Sequence, residues 1–414
     1  MKLFGLRKSV RQWLTLLAIC IAGGVIFKIA YLRDVFYVPM GEAFKANHVQ
    51  LGWMMTAFAI TQTLSYLPGG WLTDVISPKK LVPVSLILTG VCGLWMSTFP
   101  EFKYVLLIQA IQGISITLLF WQAMLKGTRM LGSQEEQGTL FGLLEGGRGL
   151  FSTIVSFTAL WIFGRYANAQ LGLKATLVFY GVALIALGVL CYFLMEDTKI
   201  EGQLDAKGAL KGMVEISKNP NIWLAGLIVF FGYSFYNGIG YLTPYLTEIQ
   251  GMSVNLGGAL SVVRTYMIAI FAAPIGGMIA DKMGSTIKFL VVAFVIGIAL
   301  TAIYIFVPES FNIYVVVVLM LALACVAMFL RGTYYATTDE IKIPLYLAGA
   351  ASGIMSLLGN APDLFVFTLY GKFLDAYPGI QGYQMVFLTM IGFAICGIIC
   401  SVVLFRRVYK KRLV

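Results

Sequence analysis

Ionisable side chains that lie inside long apolar runs are the residues of this sequence able to do chemistry. The basic ones are Lys28, Arg33, Arg148, Arg264 and Arg331, and the acidic ones are Asp34, Glu145 and Asp363. A charge inside a membrane is expensive and by default marks a ligand pathway or a paired structural site. Guanidinium groups bind planar or tetrahedral oxyanions through paired hydrogen bonds. The excess of basic groups therefore predicts a small organic anion as the ligand.

One pair of opposite charges is spaced for direct contact. Glu145 and Arg148, in LLEGGRGLFSTIV, are three residues apart, so a helix places them side by side on one face. The glycines around them allow another helix or a ligand to approach closely. Either the pair packs the helix as a neutral unit, or Arg148 contacts an anion while Glu145 holds it or carries a proton.

Two further charges lie deep in the second half of the chain. Arg264, in LSVVRTYMIAIF, has no carboxylate at helical spacing, and a buried guanidinium needs a partner. It is therefore the strongest single candidate for an anion contact. Asp363 follows Pro362 in LLGNAPDLFVF, where a kink should free backbone groups. Asp363 either pairs with Arg264 or titrates for proton coupling, and Arg331 belongs to a gate or a rim.

The charges of the first apolar run fall near its outer end, in IFKIAYLRDVFYVPMG. A helix entering the membrane near Trp13 puts Lys28 within about two turns of the midplane. Arg33 lies about 140° from Lys28 around such a helix, so the two do not share a narrow face. Lys28 is thus the better ligand contact, and Arg33 with Asp34 either joins it or snorkels outward as an interfacial pair.

Hydroxyl and amide side chains cluster in the seventh apolar run and suit a ligand that carries hydroxyl groups. They are Tyr233, Tyr236, Asn237, Tyr241 and Tyr245, with Asn360 as a further contact near the Pro362 kink. Tyrosines at the outer end of a span also belong to the interfacial aromatic belt. For these tyrosines both interpretations stay open.

The elements that must position these residues are membrane-spanning helices. Hydrophobic residues make up 59% of the 414 and charged residues only 12%, about half the charge of a soluble domain. Runs of roughly twenty apolar residues lie near 13–32, 50–72, 81–99, 104–125, 139–165, 172–195, 221–246, 255–280, 287–307, 312–336, 345–373 and 381–405. We therefore expect an all-α integral membrane fold with twelve transmembrane helices.

The loops predict the orientation and the division of the chain. About twenty of the 30 lysines and arginines fall on one side, which makes that side, with both termini, cytoplasmic. A polar connection at 196–220 separates an N-terminal six-helix bundle, 1–195, from a C-terminal one, 221–414. The net charge of +11 reflects this topology, so no nucleic-acid partner is expected. The six cysteines lie in apolar runs without metal spacing, and no cofactor is predicted.

Short motifs repeat at a distance of half the chain. GGWLTDVISPKK, with Asp74, follows the second apolar run, and GGMIADKMGSTIK, with Asp281, follows the eighth. FYVPMGE after the first run likewise matches YLTPYLTE after the seventh. An internal repeat of six helices is the design of many secondary transporters.

These two loops resemble the A-motif of the major facilitator superfamily (MFS), a Gly-x-x-x-Asp-Arg/Lys-x-Gly-Arg/Lys pattern. The second copy matches at Gly277, Asp281, Lys282 and Gly284. The first copy keeps Gly70 and Asp74 but departs after them, because Val75 stands at the basic position and Ser77-Pro78-Lys79 replaces Gly-Arg. SPKK and SQEEQGTLFG look like the corresponding stretches of the organophosphate and organic-anion branch. In that branch the stretch resembling YLRDVFYVPM contributes an arginine to phosphate binding, which implies that role for Arg33. The branch also has an arginine in helix seven, whereas FFGYSFYNGIGYLTPYL has no basic residue.

The loop charges suggest a conformational latch at the cytoplasmic side. A carboxylate at a helix end binds the N-terminus of a neighbouring helix or an arginine. Lys79 and Arg129 fall on the same side as Asp74 and Glu136, so this group, with the second motif copy, is the candidate gate. Such contacts form in one state and break in the other, as alternating access requires.

Together these features predict a secondary active transporter of the bacterial inner membrane. Its expected substrate is a sugar phosphate, sulfonate or sugar acid, carried by a monomer with a proton or a counter-anion. A lipid flippase or a proton-coupled drug or sugar carrier of the same fold is the alternative. A sensor should carry a soluble output domain, an ATP-driven pump needs a Gly-x-x-x-x-Gly-Lys-Ser/Thr loop, and an enzyme needs a nucleophile–base or metal constellation. The sequence contains none of these features.

Overall fold

The computed structural model describes residues 2–3, 6–7, 9–132, 137–197, 214–308, 311–343 and 348–410. Its backbone is almost entirely helical, which confirms the predicted all-α class. Two strands of two residues each, β1 (Lys2–Leu3) and β2 (Leu6–Arg7), pair antiparallel before the first helix.

The chain forms two compact units. The first comprises Met1–Gln203 together with Val254–Val262. Its helices are α1 Val10–Val25, α2 Arg33–Phe44, α3 His48–Val75, α4 Pro78–Met96, α5 Phe102–Ile114, a π-helical segment Ser115–Trp121, α6 Gln122–Arg129, α7 Gln137–Phe163, α8 Ala169–Leu194 and, from the second half of the chain, α11 Val254–Val262. The predicted boundaries 1–195, 196–220 and 221–414 stay a prediction.

The second unit comprises Leu204–Ser253 and Val263–Val414. Its helices are α9 Pro220–Ile239, the single turn α10 Leu242–Pro244, a π-helical segment Tyr245–Ile249, a π-helical segment Val263–Met267, α12 Ile268–Lys282, α13 Thr286–Phe306, α14 Ile313–Thr333, a 3₁₀ turn Tyr334–Ala336, α15 Thr337–Ile341, α16 Ala348–Asn360, a 3₁₀ turn Ala361–Leu364, α17 Val366–Ala376 and α18 Ile380–Lys410.

Eight helical runs among the described residues are long and apolar enough to cross a membrane. Where the structure describes them, the other four predicted spans are helical too, but those at 13–32 and 345–373 are interrupted. The first predicted span is the clearest case, because α1 ends at Val25 and residues 26–32 are turns before α2 begins. The expectation of one continuous helix to residue 32 was therefore wrong, and the 140° separation of Lys28 and Arg33 lost its basis.

Several charged residues lie where the helical backbone is irregular. Lys28 falls in the turns at 26–32, Arg264 in the π-helical segment Val263–Met267, and Asp363 in the 3₁₀ turn Ala361–Leu364. The break at Asp363 confirms the kink predicted from Pro362, whose ring prevents a regular helical hydrogen bond. Irregular backbone exposes polar groups that a buried charge can use, and in membrane proteins it lines cavities or packs against protein.

Side-chain caps fix several helix starts. Ser9 with Gln12, and Asn47 with Gln50, form capping boxes that begin α1 and α3. Packing within the first unit depends on small residues as well. A Cβ atom on Gly90 would lie 2.7 Å from the Gly181 carbonyl oxygen, so α4 and α8 approach as closely as glycine permits.

Candidate functional site

Arg148 lies on α7, where three elements of the first unit surround its guanidinium. Its Nη1 atom is 2.5 Å from Glu145 Oε1, as the spacing of the two residues predicted. Its Cζ atom lies 4.9 Å from the centre of the Trp121 ring, and its Nε donates to the Gly23 carbonyl at 3.5 Å. The Arg148 side chain is only 16% exposed, whereas that of Glu145 is 62% exposed. These contacts therefore hold the Arg148 guanidinium in one orientation, with the more exposed Glu145 carboxylate beside it.

Two glycines of α1 make room for this arrangement. A Cβ atom on Gly23 would lie 2.9 Å from the Cγ, Cδ and Nε atoms of Arg148. On Gly24 it would lie 2.9 Å from the Arg148 carbonyl oxygen and the Ser152 nitrogen. The Ser152 hydroxyl donates to the Gly24 carbonyl at 2.9 Å. The Gly23-Gly24 pair thus sets the distance between α1 and α7 and the position of Arg148.

We expect Gly24→Ala to destabilise the protein, because the new Cβ meets main-chain atoms that cannot rotate away. Overpacking of this kind lowers the free energy of unfolding by about 1–3 kcal/mol. Gly146→Ala on α7 is the matched control, since nothing lies within 4 Å of its Cβ position. Thermal unfolding of the purified variants checks the prediction. It is contradicted if Gly24→Ala melts at the temperature of Gly146→Ala.

The charges that follow the break after α1 are largely buried within the first unit. Lys28 is 5% exposed and Arg33 is 3% exposed. Arg33 donates from Nη1 to the Leu51 carbonyl at 3.2 Å, and its Cζ lies 5.1 Å from the centre of the Tyr37 ring. The snorkelling alternative was therefore wrong for Arg33, because its guanidinium joins α2 to α3. The carbonyl of Asp34 accepts a 2.5 Å hydrogen bond from Ser261 on α11.

Asp363 is the centre of a buried polar cluster in the second unit. Its Oδ2 accepts from the Tyr233 hydroxyl at 3.0 Å, and its Oδ1 accepts from Asn237 Nδ2 at 2.7 Å. The exposed fractions of Asp363, Tyr233 and Asn237 are 3%, 9% and 5%. The candidates Tyr233 and Asn237 are thus brought together with the candidate Asp363. Donors from one regular helix, α9, hold a carboxylate at the break in another span.

Arg331 joins this cluster from α14. Its Cζ lies 4.5 Å from the centre of the Tyr236 ring and 6.0 Å from that of Tyr233. The two rings stack on each other with centres 5.9 Å apart. The gate or rim position suggested for Arg331 stays a prediction, and the helical run continues past Arg331 through Tyr334–Ala336 to Ile341. No spacing within α14 could have revealed its aromatic partners, which lie on another helix.

Arg264 is 4% exposed, and its Nη1 donates to the carbonyl of Ile239, the last residue of α9. Its Nη2 lies 3.4 Å from the Thr265 hydroxyl. Protein groups thus satisfy part of this guanidinium, which the sequence suggested as the strongest anion contact.

The other hydroxyl and amide side chains predicted to contact a ligand lie in different surroundings. Tyr241 and Tyr245 are fully buried. Tyr245 packs against the rings of Tyr304 and Tyr383, while the Tyr241 hydroxyl donates to the Phe367 carbonyl at 2.9 Å. Asn360 is half-buried at the end of α16. Within the described ranges no three His, Cys, Asp or Glu residues are grouped so that they could bind a metal ion.

The predicted gating residues are only partly described. Gly70 and Asp74 lie on α3, but their side chains, and the whole of Glu136, fall outside the described residues. Lys79 Nζ lies 5.7 Å from the Tyr192 ring centre, and Arg129 Cζ lies 5.9 Å from that of Phe141. In the second copy, Gly277 is half-buried with open space at its Cβ position, and Asp281 and Lys282 are exposed at the end of α12.

Glu340, which the sequence did not suggest, occupies the N-terminus of α13. Its Oε1 accepts from the Ile287 backbone N–H at 2.9 Å. Its Oε2 accepts from the hydroxyls of Ser285 and Tyr409, both at 3.0 Å. One carboxylate on α15 thus joins the start of α13 to α18. The predicted type of contact, a carboxylate at a neighbouring helix N-terminus, is present at a residue outside the motif.

Comparison with known proteins gives a consistent family. Residues 19–366 match the sequence profile of the Major Facilitator Superfamily. The chain is 34% identical to the inner membrane protein YihN of Escherichia coli K12 over 409 residues, which cover 97% of both chains. It is 30% identical to the inner membrane protein YqcE of the same organism over 412 residues, covering 97% of this chain and 96% of YqcE.

Solved structures of transporters share the fold. A bacterial homologue of the human lysosomal transporter Spinster superposes with a TM-score of 0.81 at 15% identity, over 98% of this chain and 99% of the homologue. The nucleoside transporter NupG superposes with a TM-score of 0.78 at 14% identity, over 95% of this chain and all of the NupG chain. At these identities the likeness concerns the fold alone.

Proposed function

Because this chain belongs to the major facilitator superfamily, we propose that it carries a small organic anion across the membrane by alternating access. The chain is a non-enzymatic, multi-pass transporter. Relatives that are inner membrane proteins support the same location here. Both termini lie in the cytoplasm in this proposal, because the basic residues are concentrated in the loops of that side.

Arg148 is the observation that carries the anion proposal. It lies on an apolar helix, where a charge is expensive unless it has a partner or a function. Its only ion pair among the described residues is with Glu145, a side chain that is itself mostly exposed. Gly23 makes room for the guanidinium, and the Gly23 carbonyl and the Trp121 ring hold it in place. An anionic ligand that approaches this fixed guanidinium replaces water with charge-assisted hydrogen bonds.

The excess of basic over acidic groups in the spans of each unit extends this argument beyond one residue. Lys28 and Arg33 in the first unit, and Arg264 in the second, are buried cations beside irregular backbone. Low-dielectric surroundings with net positive charge attract anions. Sugar phosphates, sulfonates and sugar acids are the proposed class. Asp34, Glu145 and Asp363 are the candidates for carrying a proton if transport is coupled to one.

We expect Arg148→Ala to abolish ligand-induced stabilisation. Glucose 6-phosphate, gluconate and isethionate represent the three anion classes. A ligand that binds only the folded protein raises its melting temperature, and the rise grows with the ratio of ligand concentration to Kd. Thermal unfolding of purified protein therefore measures binding. Arg165→Ala is the matched control, because Arg165 is exposed and its Cζ lies 4.5 Å from the Trp161 ring centre. That variant should respond to anions like the unchanged protein.

The proposal fails if none of the three anions stabilises the unchanged protein. It also fails if Arg148→Ala responds to them as fully as Arg165→Ala does. Proteoliposomes separate the alternative functions, since a lipid flippase moves labelled lipid between leaflets whether or not an anion is present. A drug or sugar carrier takes up cationic or neutral probes in preference to anions.

A further inference from the structure

We propose that Arg331 binds the charged group of the substrate in the second unit, with the Tyr236 ring as its support. This inference rests on the proposed function and gives a role in ligand binding to Arg331, which the sequence assigned to a gate or a rim. It adds an anion subsite to the second unit, where Arg264 is engaged with the end of α9.

The geometry of Arg331 suits an oxyanion. Its guanidinium lies over the Tyr236 ring at 4.5 Å, and the side chain remains exposed. A guanidinium packed against a ring still directs its N–H groups outward in its own plane, where they match two oxygens of a carboxylate, sulfonate or phosphate. The ring face adds cation–π attraction. The Arg331 side chain is thus exposed, and the Tyr236 ring restrains its orientation.

The cluster beneath Arg331 keeps this support rigid. Tyr233 stacks on Tyr236, and its hydroxyl donates a hydrogen bond to one carboxylate oxygen of Asp363. The Asn237 amide donates to the other oxygen. Fixing the aromatic pair before the ligand arrives reduces the entropy lost on binding. Asp363, Tyr233 and Asn237 therefore act as positioning residues, because they orient the ring pair on which Arg331 rests.

The location of Arg331 distinguishes it from other cation–aromatic contacts of this unit. Lys288 lies 5.2 Å from the Phe405 ring centre, but it is in the first turn of α13, beside the capped helix start. Arg331 instead lies near the end of the membrane-spanning run Ile313–Ala336, over the stacked rings of Tyr233 and Tyr236. The buried Asp363 cluster holds this aromatic support in place, so an anion meets a more preorganised cation at Arg331 than at Lys288.

Isothermal titration of purified protein with glucose 6-phosphate, gluconate and isethionate tests the subsite. We expect Arg331→Gln to weaken the affinity for every anion that the unchanged protein binds by roughly 10- to 100-fold. Arg331→Lys should recover part of the affinity, because it restores the charge without the planar fork. The affinity of Tyr236→Phe should stay within about 3-fold of that of the unchanged protein. Tyr236→Leu should bind about 3- to 10-fold more weakly, because it removes the ring.

Lys288→Gln is the matched control and should bind like the unchanged protein. If Arg331→Gln binds the anions as tightly as Lys288→Gln does, the assignment of Arg331 is wrong, while the proposed function stands. If the unchanged protein binds none of the anions, the proposed function fails and this inference with it. Unfolding of each variant without ligand shows that affinity is compared between folded proteins.

Discussion

Replacing Asp363 by alanine is expected to reduce transport by about 100-fold or more. The carboxylate accepts hydrogen bonds from Tyr233 and Asn237 in a site that is 3% exposed. Each hydrogen bond to a charged group contributes about 1.5–3 kcal/mol, and a buried donor without an acceptor is itself destabilising. Alanine removes both acceptor oxygens, so the aromatic pair under Arg331 loses its fixed orientation. Anion uptake into proteoliposomes measures the effect.

Asp375→Ala provides the control for this prediction. Asp375 is exposed near the end of α17, so its removal should leave uptake unchanged. Asp363→Asn separates charge from geometry, since the amide keeps one acceptor oxygen and cannot carry a proton. If Asp363 couples transport to protons, this variant exchanges anions but no longer responds to a pH gradient. Uptake by Asp363→Ala at the level of Asp375→Ala would contradict the role given to this residue.

Replacing Glu340 by alanine is expected to lower the thermal stability of the second unit. The change removes three hydrogen bonds and the negative charge at the N-terminus of α13. Because Glu340 is half-buried, we expect a loss of about 2–4 kcal/mol, which corresponds to a fall in melting temperature of roughly 5 °C or more. Tyr409→Phe removes one of the three donors to Glu340, so it should lower the stability less than Glu340→Ala does.

Asp281→Ala is the informative comparison for Glu340. Asp281 belongs to the repeated loop motif, but its side chain is exposed at the end of α12, and exposed charges contribute little to stability. We therefore expect Asp281→Ala to change the melting temperature by about 1 °C or less. A larger destabilisation by Asp281→Ala than by Glu340→Ala would restore the motif aspartate as the main latch of the second unit.

Local rules predicted part of this structure correctly. Hydropathy identified the helical runs, three-residue spacing identified the Glu145–Arg148 contact, and Pro362 identified the break at Asp363. Each of these depends on residues that are close in sequence. The interruption at 26–32 contains no proline, so the sequence carries no comparable local signal for it.

Tertiary contacts account for most of what the sequence could not reveal. Arg331 meets a ring nearly a hundred positions earlier in the chain, and Glu340 meets the start of α13 and a tyrosine of α18. Neither pairing has a periodicity or a motif. The sequence also could not show the hydrogen-bond acceptors of Arg33 and Arg264. These acceptors are the carbonyls of Leu51 and Ile239, which are distant in sequence.

The hydrogen bond from Arg264 to Ile239 has a mechanical consequence. Ile239 ends α9 just before the turn at Gly240 and Tyr241, while Arg264 lies in the π-helical segment that precedes α12. A single side chain therefore fastens the bend of one span to the bend of another. Neither bend can change its angle without carrying the other along or breaking this bond. In hydrogen exchange, the amides after Ile239 and those around Arg264 should accordingly open as one cooperative unit, and Arg264→Met should make them open separately.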